Sequence, residues 1–160
     1  MRKKKIEIIF KEYSDIKELP DKEQNLIYAA RKTVKKAYAP YSKFKVGAAL
    51  LMEDDSIITG NNQENASSPV GSCAERTAIY WANANFPEKK ILAIAVTSLD
   101  KEGEKAKHLS PCGLCRQTLM ETQQRFSSPI KVFIDNRDQI LEIPDIESLL
   151  PLSFSNTSLQ

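Results

Sequence analysis

Residues 91–96, Ile-Leu-Ala-Ile-Ala-Val, pass through six positions without a polar side chain. The run has strand length, and it lacks the alternation of a strand with one wet face. It predicts a strand covered on both sides, as at the centre of a sheet flanked by helices. Strand patterns alternating with helical ones around it imply an α/β layer protein.

The neighbouring segments supply those layers. Ile6, Ile8 and Phe10, with Glu7 between the first two, suggest a short strand in a segment closed by Pro20. Residues 1–20 therefore read as an N-terminal extension, and 21–160 as the main domain with a C-terminal tail. Asp21 and Gln24 resemble a capping box. Leu26, Ile27, Ala30, Val34, Ala37 and Tyr38 then recur at helical spacing until Pro40. Residues 44–51 and 57–59 read as a hairpin turned at Glu53-Asp54-Asp55. A long polar loop, 60–72, separates it from a helix over 73–86 that Pro87 ends. Pro111 opens another helix to about residue 125, well placed at a first helical turn. Strands over 130–134 and 139–142 complete the sheet, and 145–150 suggests one helical turn.

At 160 residues the chain is long enough for one domain with a real core. Its 23 Lys+Arg against 21 Asp+Glu leave a net charge of +2, too small an excess for a phosphate-binding surface. Nucleic acid is not the expected partner. The opening MRKKK resembles the start of a signal peptide, but only Ile8, Ile9 and Phe10 run together after it. No apolar stretch reaches membrane-span length, so no membrane partner is expected and the expected location is the cytoplasm.

The chemistry concentrates on three cysteines, Cys73, Cys112 and Cys115. An odd number argues against a closed set of disulfides. Cys73 opens one predicted helix, while Cys112 and Cys115 open another and share one face of it. A helix start favours the thiolate that metals bind. Together they can fill three corners of a zinc tetrahedron, and the fourth corner decides the role. Left open it makes a catalytic site, and filled by protein it makes a structural one. His108, the only histidine, is the available fourth ligand for a structural Cys3His module. Glu75, on the first turn after Cys73, could stand beside the metal as a general base.

Cys73-Ala74-Glu75-Arg76 with Pro111-Cys112-Gly113-Leu114-Cys115-Arg116-Gln117 resembles the small, three-cysteine cytidine deaminases. The likeness extends to 38–50, to Asn62-Gln63-Glu64-Asn65-Ala66, and to Leu149-Leu150-Pro151 with Phe154, so that about 24–154 is covered. It implies a three-layer α-β-α sandwich around a mixed sheet of about five strands. It also implies hydrolytic deamination of cytidine and deoxycytidine in pyrimidine salvage, with one zinc per subunit on Cys73, Cys112 and Cys115. Water activated by the metal attacks C4 while Glu75 moves protons to N3 and to departing ammonia. Arg76 compensates the thiolate charge. Phe44 packs on the nucleoside, Asn62 and Glu64 bind the ribose, the Ala74 N–H meets the base carbonyl, and the Ser110 carbonyl accepts from the amino group. Phe154 reaches an adjacent subunit's site in a homotetramer. Three features depart from the family pattern: Ser68 where an aromatic is common, a longer 100–107 loop, and the first twenty residues.

Overall fold

Six strands form one mixed sheet in the computed structural model, which describes residues 1–159. They are β1 (Lys11–Tyr13), β2 (Lys45–Met52), β3 (Ile57–Asn61), β4 (Ile91–Leu99), β5 (Lys131–Asp135) and β6 (Ile140–Ile143), in spatial order β1-β6-β5-β4-β2-β3. Only β4 and β5 run parallel. The long helices are α1 (Asp21–Thr33), α2 (Ala74–Asn85) and α3 (Gly113–Phe126), the last forming the crossover between the parallel strands.

The layers follow from the alternation of side chains along the central strands. On one face Ala49, Leu51, Ala93, Ala95 and Phe133 pack against Leu26, Ile27 and Ala30 of α1. On the other, Ala48, Leu50, Ile94, Val96, Val132 and Ile134 pack with Ala78, Ile79 and Ala82 of α2 and with Leu119 and Met120 of α3. Both faces of β4 are buried, which is why its sequence carries no polar residue before Thr97. The three-layer sandwich and the β2–β3 hairpin agree with the sequence reading.

The sheet carries six strands where the resemblance implies about five, and its N-terminal strand lies further along the chain than the alternation suggests. The N-terminal strand is Lys11–Tyr13, and Ile6, Ile8, Ile9 and Phe10 are exposed outside it. Its position is set by polar contacts with β6: Lys11 pairs with Glu142 in register, and the Tyr13 hydroxyl donates to Glu142 at 2.6 Å. Ile16 and Leu19 are buried beneath α1, so part of the predicted extension belongs to the core. The capping box forms at Asp15 and Glu18 of a short 3-10 turn rather than at Asp21 and Gln24. Asp21 is already inside α1 behind Pro20, and the Gln24 side chain donates to the Leu19 carbonyl instead. Likewise Pro111 lies just outside α3, whose N-cap is Cys112.

Candidate active site

Two helix starts converge above the sheet. Cys73 is the N-cap of α2 and Cys112 the N-cap of α3, each in extended backbone, while Cys115 lies in the first turn of α3. Their sulfurs all fall within 4.8 Å of one another, with Cys73–Cys112 at 3.8 Å and Cys112–Cys115 at 3.4 Å. A Zn–S bond of about 2.3 Å in a tetrahedron spaces neighbouring sulfurs by roughly 3.8 Å, so the donor set fits zinc. Cys115 is buried and Cys112 exposed, which opens the cluster to one side. His108 is exposed and stands outside this group, leaving no Cys3His set among the described residues.

A hydrogen bond from Cys115, with smaller help from Cys112 and Arg76, brings Cys73 down to about 5. The same bond and burial push Cys115 well up. Glu75, only 4% exposed, lies beside them. Burial pushes its carboxyl up to about 7, and the charge on Cys73 adds to the effect. The guanidinium of Arg76 also borders Cys73 and donates to the Gly71 carbonyl at 3.4 Å, while its Nε is buried with no hydrogen-bond partner among the described residues.

A cavity of about 580 Å³ opens over the cluster. Phe44, Asn62, Glu64, Ser110, Cys73, Cys112, Glu75 and Arg76 all line it, as does Ser68. Ala74 and Cys115 are fully buried behind this surface, and Phe154 lies outside it, 62% exposed. The Asn62 side chain accepts from Val46 N–H at 2.8 Å and donates to the Phe44 carbonyl at 2.9 Å, fastening the loop to β2. Glu64 accepts from the Ser42 hydroxyl and from the N–H groups of Tyr41 and Ser42. The Ser42 hydroxyl, followed by the Tyr41 amide, holds its carboxyl below the usual range.

Sequence reading assigned no role to Arg116 or Asn136. Arg116 donates to the Pro111 carbonyl at 2.8 Å, the Leu149 carbonyl at 2.8 Å and the Ser110 hydroxyl at 2.7 Å. Its place inside the Pro-Cys motif was the available signal. Asn136, just after β5, accepts from Leu109 N–H at 2.7 Å, and no local pattern announces that contact.

Three thiols that fit a divalent metal, a buried carboxyl beside them and a cavity lined by a ring, an amide and a carboxylate make up a candidate metal-dependent hydrolytic centre. Residues 20–127 match the family model of the cytidine and deoxycytidylate deaminase zinc-binding region. A cytidine deaminase of Halalkalibacterium halodurans is 39% identical over 132 residues, covering 82% of this chain and 93% of that one. Another, from Sporosarcina psychrophila, is 39% identical over 136 residues, or 85% and 93% of the two chains. Among solved structures, cytidine deaminase from Burkholderia pseudomallei superposes with a TM-score of 0.67 at 38% identity, covering 81% of this chain and 97% of its own. That from Mycobacterium tuberculosis gives 0.64 at 32% identity, with 83% and 97% covered. The chain belongs to the zinc-binding cytidine and deoxycytidylate deaminase family.

Proposed function

We propose that this protein is a zinc-dependent cytidine deaminase that converts cytidine and deoxycytidine, with water, to uridine and deoxyuridine plus ammonia. The observation that carries the reading is the buried Glu75 carboxyl set beside three zinc-compatible thiols at the floor of one cavity.

Cys73, Cys112 and Cys115 hold the metal. Zinc bound there supplies a Lewis acid that makes water nucleophilic near neutral pH. Glu75 takes one proton from the attacking water and passes it to N3 of the base, then takes the second from the new C4 hydroxyl and delivers it to the amino group as the C4–N bond breaks and ammonia leaves. Burial supports this role, because a carboxyl with raised proton affinity can both accept and return a proton. Arg76, whose guanidinium borders Cys73, offsets the negative charge of the thiolates. The Ala74 N–H, at the start of α2, donates to the base carbonyl, and the Ser110 carbonyl accepts from the amino group. Phe44 packs against the nucleoside. Asn62 and Glu64, already braced by backbone and hydroxyl contacts, bind the ribose hydroxyl.

The exposed ring of Phe154, together with exposed Tyr80, Trp81 and Leu114, supports a homotetramer in which Phe154 completes a neighbour's site. Free thiols fit a reducing compartment such as the cytoplasm. No described helix is long and apolar enough to cross a membrane. The test is ultraviolet monitoring of cytidine conversion with zinc quantified in the same sample. Turnover that scales with zinc content is expected, and a zinc-loaded preparation inactive on both nucleosides overturns the assignment.

A further inference from the structure

We propose that Asn136 and the Asp135–Lys105 ion pair are a positioning clamp for the Leu109–Ser110 wall of the cavity, and through it set how tightly the base is held. The inference rests on the deaminase reading.

The last residue of β5 and the two that follow it grip the 100–110 segment at successive points. Asp135 accepts from Lys105 Nζ at 2.8 Å. Asn136 accepts from Leu109 N–H at 2.7 Å. Arg137 donates its backbone N–H to the Ala106 carbonyl at 3.0 Å and its Nε to the Lys105 carbonyl at 2.9 Å. The fixed end of this clamp is embedded in the sheet: the Asp135 side chain is 0% exposed and Asn136 only 3%. The other end reaches the cavity, because Leu109 and Ser110 line it immediately before Pro111 and Cys112.

The charge arithmetic shows why Lys105 matters. Asp135 is already satisfied without it: Arg31 donates to both carboxylate oxygens at 2.8 and 2.7 Å, and Thr97 donates to one at 2.8 Å. Adding Lys105 places a second cation on one carboxylate, leaving the group with a net positive charge. Lys105 is therefore surplus to satisfying the buried carboxylate, and what it adds is a tie from the sheet to the loop. The loop is exposed from Lys101 to Glu104, where it turns on the Asp100 side chain. These ties hold its return along 105–109, with the Ala106 N–H also donating to the Ser98 hydroxyl at 3.3 Å. The backbone they fix is the backbone that presents the Ser110 carbonyl.

Asn136→Ala and Lys105→Met test the clamp in the full-length, zinc-loaded enzyme, with Lys105→Arg as the conservative rescue. In both disrupting variants KM for cytidine should rise roughly three- to tenfold, the scale of one hydrogen bond, with kcat moving less than about twofold. Zinc content should hold, Lys105→Arg should restore KM, and amide exchange at Leu109 should accelerate. A purely structural role would lower the folded fraction and leave KM alone. Wild-type turnover of cytidine is read separately and tests the deaminase assignment itself. Should Asn136→Ala fail to fold, the Lys105 variants decide. Unchanged KM, or unchanged exchange at residues 106–110 in Lys105→Met, overturns the clamp.

Discussion

Gly60 and Ala74 meet with no room for a side chain between them: a Cβ on Gly60 would lie 2.5 Å from the Ala74 carbonyl oxygen and 2.6 Å from the Ala78 nitrogen. The contact lets the first turn of α2 rest directly on β3, and that turn carries Cys73 and Glu75. Gly60→Ala must push α2 off the sheet. It should cost about 1–3 kcal/mol, as overpacking does, and weaken zinc retention together with activity. Thermal unfolding beside metal analysis checks both, and an unshifted melting temperature contradicts the close approach.

Glu75→Gln keeps shape and hydrogen-bonding capacity but removes the proposed proton carrier. Turnover should fall by about 10²–10⁴ while zinc content and melting temperature stay near wild type. A Gln variant that deaminates at nearly the normal rate removes Glu75 from the chemistry.

Cys112→Ser exchanges a soft ligand for a hard, weakly acidic one. Metal and stability should be lost together, because metal binding is coupled to the packing of the two helix starts. Arg76→Gln should instead retain zinc and change the rate. Calorimetry with metal quantification distinguishes the two classes, and full zinc occupancy in Cys112→Ser contradicts the ligand set.

Asp135 makes stability depend on acid. Burial alone would push its carboxyl up, but the hydrogen bonds from Arg31 and Lys105 outweigh burial and hold it below the ordinary range. A depressed folded value means the contribution is complete above the unfolded value of about 3.9 and disappears as pH falls through the lower folded value. Asp135→Asn should cost about 3–5 kcal/mol at neutral pH, since it strands two cations. The melting curves of variant and wild type should converge as pH drops below about 4. Parallel curves across that window rule the ion pairs out as the source.

Truncation after Pro151 removes Phe154 and the contact between its carbonyl and Gln117 Nε2 at 3.0 Å. KM should rise about tenfold or more, with zinc unchanged. Light scattering of the intact protein should give the mass of four chains. A fully active monomer refutes the shared site.

Local chemistry made much of this legible in advance. The 91–96 run, the hairpin and both cysteine-bearing helix starts depend on neighbours in sequence, so pattern alone placed them. Lys11–Tyr13 did not announce itself, because its partner Glu142 lies 131 residues from Lys11 and its side chains are polar. Alternation drew the strand to Ile6, Ile8 and Phe10, where no strand of the sheet waits. The capping pattern was read at Asp21 and Gln24, but Asp21 lies inside α1 behind Pro20, and the box forms one turn earlier at Asp15 and Glu18. Asn136 and Lys105 act on the cavity only through tertiary contact. A lone asparagine after a strand and a lysine in a charged loop read as ordinary surface.

Cys73 and Cys112 are 39 positions apart, with all of α2 and β4 between them. Only the folded chain brings two positions so far apart onto one ion, so metal bound there would be released on unfolding. In a chain whose cysteines are all free, the ligands of the site would therefore lend the fold the metal's own affinity, and chelation would lower its resistance to unfolding even where the folded packing is unchanged.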